Sequence, residues 1–181
     1  QVLMGKLNIP VIPPEELAKL ELSEYARPRV EQTQQLAPYG LPSNLDAWDG
    51  YPAARERLFA MLSAHATNPV SLAGDTHNGW AFNLTNQKGE AVGVEWGTPG
   101  ISSPGLENYV PLPPEQMQAL LKGASPELVA CDTSQRGWTQ VTLTPEAATA
   151  QWRFVSSVIE PNYEVSVGKP LATARETRRL A

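Results

Sequence analysis

Cysteine is nearly absent: Cys131 is the one thiol in 181 residues, which excludes an internal disulfide and leaves cysteine usage silent about redox surroundings. Positive charge is also sparse. Fourteen Lys and Arg stand against nineteen Asp and Glu, for a net charge of −5, and the only basic cluster is Arg175, Arg178 and Arg179 at the very end. Nucleic acid is therefore not an expected partner, because phosphate contacts need a clustered positive face. An acidic chain can still take anionic substrates where metal ions reverse the local field. No run approaches the roughly 18 consecutive apolar residues of a membrane span. The opening "QVLMGKLNIP" lacks the basic start and small-residue cleavage site of a secretory signal and carries no initiator Met, so it reads as a processed or excised chain.

What is present describes a globular protein. At 41% hydrophobic residues the chain can enclose one substantial core, and its length favours one domain. Seventeen prolines against thirteen glycines imply many fixed turns and few long regular elements. "IPVIPPEELAKLE" predicts a short helix over about Pro14 to Glu21, with proline and acids at its positive end. Ser23 to Leu45, rich in Pro, Gln and Ser, shows no clear period and reads as an ordered surface excursion or a flexible insertion. In "DAWDGYPAARERLFAMLSAHATNP", Pro52 opens a helix whose stripe is Ala54, Leu58, Met61, Leu62 and His65, with Arg55 and Arg57 on other faces.

"NPVSLAG" is a short buried strand stopping at Gly74, and "GWAFNL" and "AVGVEWG" are two strands joined by a turn at Asn86 to Gly89. "LPPEQMQALLKGAS" is a second short helix from Pro114 to about Gly123. Around Pro145-Glu146, Val141 and Leu143 and then Ala150, Trp152 and Phe154 alternate with a period of two, the mark of an antiparallel hairpin from Trp138 to Val155. Residues 1–160 form the domain, and 161–181 read as a weakly tied tail. There is no internal repeat.

The chemistry concentrates in "SLAGDTHNGWAFNL". A strand that stops at a glycine lets Asp75 and His77 leave the sheet edge into the same space, and carboxylate oxygen with imidazole nitrogen can share a cation. Asp-x-His is a weak signal alone. The alternative is a polar turn in which Asp75 bonds local amides and His77 packs on Trp80. "GISSPG" lacks the second glycine of a serine-nucleophile turn. "NLT" at Asn83 matches a glycosylation sequon but falls in a predicted strand.

Several motifs together are more specific. Gly-Asp-x-His followed by a strand, then "VGVEWGTPGISSPG", resembles the alkaline phosphatase D (PhoD-like) branch of the metallophosphoesterases. "DAWDGYPAARERLFAML" is similar to that family's helix start, "QVLMGKLNIP" to the segment after its Gly-x-Gln, and "CDTSQRGWTQVTLTPEAATAQWRFVSSV" to its Arg-Gly-Tyr hairpin, with Trp138 in place of tyrosine.

The resemblance implies an α/β fold, part of a four-layer α/β/β/α sandwich of mixed sheet and outer helices. Of it the chain would supply mainly one sheet and its helices, leaving an apolar sheet face uncovered for the rest of the domain or a second chain. The family's first metal-ligand motifs are not in this sequence. Cys131 sits in a different motif and reads as a small buried hydrophobe rather than a substitute ligand.

By resemblance, Asp75 and His77 are metal ligands, His77 also acting in catalysis, and Asp132 in "CDTSQRGW" is a third candidate ligand. Asn78 and Arg136 are candidate substrate contacts, against turn formation and an ion pair respectively. Iron with calcium, a phosphate-ester substrate and a periplasmic or secreted location are likewise implied. Asp49 and Tyr51 read as helix-start residues, Glu95 as an exposed strand carboxylate, and His65 as a core or boundary residue. The rival reading is a non-catalytic binding or structural domain on the same scaffold.

Overall fold

A computed structural model describes residues 2–181. Among these residues there are four α-helices, α1 (Pro14–Leu17), α2 (Ala26–Leu36), α3 (Pro52–His65) and α4 (Pro114–Ala124), three of them before the first of eight strands and the fourth between the third and fourth strands. The first sheet holds β1 (Val70–Ala73), β2 (Gly79–Thr85), β3 (Ala91–Gly97) and β4 (Leu128–Asp132) in the order β1-β3-β2-β4, with β1 parallel to β3 and the other pairs antiparallel. In the second, β5 (Arg136–Leu143) pairs antiparallel with β6 (Ala147–Val155), whose other edge is shared by β7 (Val165–Val167) and β8 (Leu171–Ala174).

The two sheets stack. Ala81, Val94 and Trp96 of the first pack against Ala148, Ala150, Trp152 and Phe154 of the second, the period-two face that the hairpin alternation predicts. The first sheet's other face carries Trp80, Phe82 and Leu84, which meet Phe59, Met117 and Leu121 from the helices. A bulge opposite Leu84–Thr85 skips Val92 and turns it to the helical side, where it joins this cluster. The molecule is thus layered helix, sheet, sheet, a mixed α/β sandwich.

Several elements differ from the sequence reading, each for a physical reason. The chain holds two packed sheets rather than mainly one. The second covers the apolar face of the first, and its own outer face is largely polar, pairing Gln140 with Gln151 and Thr142 with Thr149. The stretch from Ser23 contains helix α2, started by the Ser23 hydroxyl accepting from Ala26 N at 3.1 Å and buried through Leu22, Ala26, Val30 and Ala37. The first helix ends after one turn, at Leu17. Residues 161–181 are tied down: β7 and β8 extend the sheet, and Arg178 donates to the carbonyls of Ala66 at 2.8 Å and Thr67 at 2.9 Å.

The largest correction concerns charge. On α3 the buried residues are Arg55 and Phe59, while Met61 and His65 are exposed, so the helix is rotated from the expected stripe. Arg55, 1% exposed, stacks on Phe59 and pairs with Glu127 at 2.7 Å. Glu95, expected at the surface, is fully buried. It accepts from Met4 N at 2.9 Å, Gly5 N at 2.8 Å and the Ser71 hydroxyl at 2.9 Å. Glu127 takes Lys6 N, Asp49 takes Leu7 N and the Ser125 hydroxyl takes Asn8 N, while Arg55 Nε donates to Met4 O at 2.7 Å. Residues 4–8 thus cross the helical layer with every backbone N–H held by a side chain in place of a strand ladder. The Phe82 ring sits where a Cβ on Gly5 would fall, 2.3 Å away.

Removing one partner of a buried ion pair leaves an uncompensated charge, so Arg55→Ala should cost about 3–5 kcal/mol in denaturant unfolding. Arg55→Ala and Glu127→Ala together should cost less than the sum of the two single losses; strictly additive losses would contradict the pairing. Burial pushes the Glu95 carboxyl above its ordinary range, against the opposing donors from Gly5, Met4 and Ser71. The folded state then holds that proton to higher pH than the unfolded chain. Its contribution must therefore fall as pH rises from about 4.3 towards the raised value. Wild-type stability relative to Glu95→Gln, followed by urea titration across this range, should decline with pH.

Candidate functional site

The loop 74–78 leaves the end of β1 and re-enters the sheet at β2. Asp75 (φ 69°) and His77 (φ 59°) are both left-handed, a conformation that Asp and His tolerate better than most residues and that costs energy unless the surroundings enforce it. The surroundings do. Thr76 N donates to Gly74 O at 2.8 Å, the Thr76 hydroxyl accepts the Trp80 indole N–H at 2.7 Å, and Asn78 Nδ2 donates to Thr76 O at 2.6 Å. The loop is a closed local network, with Asn78 buried at its base.

The second wall is residues 103–107. Leu106 N donates to Asn78 Oδ1 at 3.1 Å. Arg136, at the start of β5, donates through Nη1 to His77 O at 2.6 Å and Ser103 O at 3.1 Å, and through Nη2 to Glu107 at 2.9 Å. From below, Trp152 of the second sheet lies against Gly79, where a Cβ would come within 2.9 Å of the ring, and donates its indole N–H to Gly97 O at 3.2 Å. Both sheets therefore fix the loop.

His77 Nδ1 lies 3.0 Å from Pro104 O. A carbonyl can only accept, so Nδ1 is the donor in this bond, and Nε2 is the nitrogen it leaves for another partner. Carbonyl-bonded imidazoles of this kind are how protein ligands to cations are oriented. Asp75, on an exposed residue of the same turn, adds carboxylate oxygen. These two are the donors the loop can offer a cation. Among the described residues no three His, Cys, Asp or Glu side chains gather as a metal cage; Asp75 and His77 fit as part of a ligand set, fewer than the four donors a transition metal usually takes.

The other candidates do different work. Asp132 stands opposite Gly79 in the β2–β4 register, two residues from His77, but its carboxylate closes its own turn: Oδ1 accepts from Ser134 N at 3.0 Å and Gln135 N at 2.8 Å, and Oδ2 from Gln135 Nε2 at 2.7 Å. Asn78 holds the loop, and Arg136 makes the ion pair weighed against substrate contact. Cys131 is buried, and that burial, with Asp132 beside it, pushes its thiol up to about 12, so it stays protonated. Glu107 and the Pro104 carbonyl escaped the sequence reading. Glu107 lies 29 residues from its arginine in a loop without periodicity, and a backbone carbonyl leaves no residue-type signal.

A Cβ at Gly105 would lie 2.4 Å from Asn78 Oδ1 and 2.8 Å from the Arg136 guanidinium, both pinned by their partners. Gly105→Ala should therefore cost about 1–3 kcal/mol and release His77, seen by nitrogen NMR as loss of the hydrogen bond at Nδ1. An unchanged imidazole spectrum would contradict this account of the loop.

Comparison with known proteins agrees with the geometry. The family model described as PhoD-like phosphatase matches residues 2–152. Alkaline phosphatase D of Bacillus subtilis (strain 168) is 31% identical over 128 residues, which cover 68% of this chain and 21% of that protein. A solved structure described as "Structure of PhoD" superposes on the whole chain with a TM-score of 0.64 at 21% identity, covering 30% of its own length, a likeness of fold. The chain spans about a fifth of its curated relative's length. From the loop, the hairpin and these matches together, the chain belongs to the PhoD-like phosphatase family.

Proposed function

We propose that the intact protein hydrolyses phosphate esters in a metal-dependent reaction, with Asp75 and His77 contributing donors to the cation site. The observation that carries this is the loop after β1, where two left-handed residues bracket Thr76 and a carbonyl bond engages His77 Nδ1, leaving Nε2 as the nitrogen for a cation. The family match to residues 2–152 supports the reaction class. A bound cation would neutralise phosphoryl oxygens and acidify water.

This chain's residues supply orientation. Pro104 O holds the imidazole and the Arg136 contact to His77 O holds its backbone. Glu107 shares the Arg136 charge, so in this reading Arg136 positions His77 and Asn78 holds the loop. Asp132, held in its turn, braces the strand edge beside them. Iron and calcium are the cations we propose. The natural location would be periplasmic or secreted, outside the cytoplasmic membrane.

Hydrolysis of p-nitrophenyl phosphate and bis-p-nitrophenyl phosphate by the intact protein should vanish on chelation and return with added iron and calcium. Asp75→Asn and His77→Ala should each lower the rate at least about 100-fold, since even the residues that orient metal ligands are worth 10–100-fold. No hydrolysis, or hydrolysis indifferent to chelation and to both substitutions, would favour the non-catalytic scaffold instead.

A further inference from the structure

Beside the loop lies a cavity of about 500 Å³, within the range of small-molecule sites. Its walls are core residues: Ile12, Val30 of α2, and Met117 and Leu121 of α4, each less than a tenth exposed. His77 and Asn78 form part of its lining, joined to it through Trp80, the side chain that also bonds Thr76. The cavity is therefore apolar along most of its wall and meets the phosphoester loop at one side.

It is also preformed. Gln34 of α2 accepts from Ile12 N at 2.7 Å and donates to Pro10 O at 3.1 Å, which locks the helix against the neighbouring wall. Arg29, a lining residue, stacks on the Tyr25 ring at 3.8 Å and donates to Tyr25 O. A rigid apolar cavity spares its ligand the cost of ordering the site. Water gains few hydrogen-bond partners there, whereas an alkyl or aryl group gains by burial.

We propose that this cavity receives the apolar body of the substrate's leaving alcohol, so that among phosphate esters those of apolar alcohols, long alkyl or aryl, are preferred, and α2 is the element that sets the preference. The inference rests on the phosphatase reading above. In the reaction, water forms the new P–O bond and gives up a proton, the ester P–O bond breaks, and the departing alkoxide gains that proton to leave as the alcohol, its apolar body in the cavity.

Non-hydrolysable alkylphosphonates test it. Calorimetry on the intact protein with methyl-, butyl- and octylphosphonate should show affinity rising about three- to fourfold per methylene until the cavity is filled, and 1-octanol should bind more weakly than octylphosphonate. Val30→Trp, and Thr33→Phe should the first variant not fold, fill the cavity from α2 and should flatten the rise. A flat series in the wild type, a rise untouched by the filling variants, or equal binding of 1-octanol and octylphosphonate would overturn the assignment. A flat series alongside metal-dependent hydrolysis overturns it alone. A steep series without hydrolysis of any ester overturns the phosphatase reading, leaving a site for anion-headed apolar ligands.

Discussion

The helical layer depends on how one extended segment is satisfied without a neighbouring strand. Residues 4–8 pass between α3 and the first sheet, and their amides end on Glu95, Glu127, Asp49 and Ser125. Burying Glu95 and Glu127 and half-burying Asp49 together is expensive. The charge is offset by Arg55, which reaches Met4 O, Thr85 O and Glu127 from one guanidinium. Planar, multiply donating geometry of this kind suits arginine and not lysine. The same segment runs on to Ile9, Pro10 and Ile12 at the cavity wall, so the arginine that satisfies the backbone also fixes where that wall stands.

On the opposite side of the fold the constraint is contact between sheets. Trp152 rests on Gly79 and bonds Gly97, and Trp80 occupies the space a Cβ on Gly97 would need. Two indoles thus grip the strand ends from opposite faces, and the loop between β1 and β2 has little freedom left. Its left-handed residues persist because the surroundings over-determine them. Glu176 and Arg178 share that handedness in the C-terminal turn, so backbone strain alone does not mark a site. What sets Asp75 and His77 apart is strain combined with an imidazole engaged at Nδ1 and a cavity alongside.

Legibility in the sequence followed the kind of signal involved. The hairpin was readable because Ala150, Trp152 and Phe154 alternate with polar residues, and the metal-loop candidates because a glycine ends an apolar run beside Asp75 and His77. Helix α2 was obscured because its buried positions, Ala26 and Val30, are small or isolated among polar residues that dilute the period. Arg55 and Glu95 were misplaced because charge ordinarily means exposure, and their partners lie 72 and about 90 residues away. Arg136 and Asn78 were read as candidate substrate contacts; that their polar groups brace the loop emerges only once Ser103–Glu107 folds over them. Long-range polar satisfaction leaves no local pattern.

The central claim is that Asp75 and His77 Nε2 share a cation. It is tested most directly by anomalous diffraction from crystals of the intact protein grown with its native metals, at wavelengths on either side of the iron edge. The account predicts an anomalous peak within coordination distance of Nε2 of His77 and of an Asp75 oxygen, with Nδ1 still bonded to Pro104 O. A fully occupied metal cluster elsewhere, with Asp75 and His77 side chains pointing apart and no density between them, would contradict it.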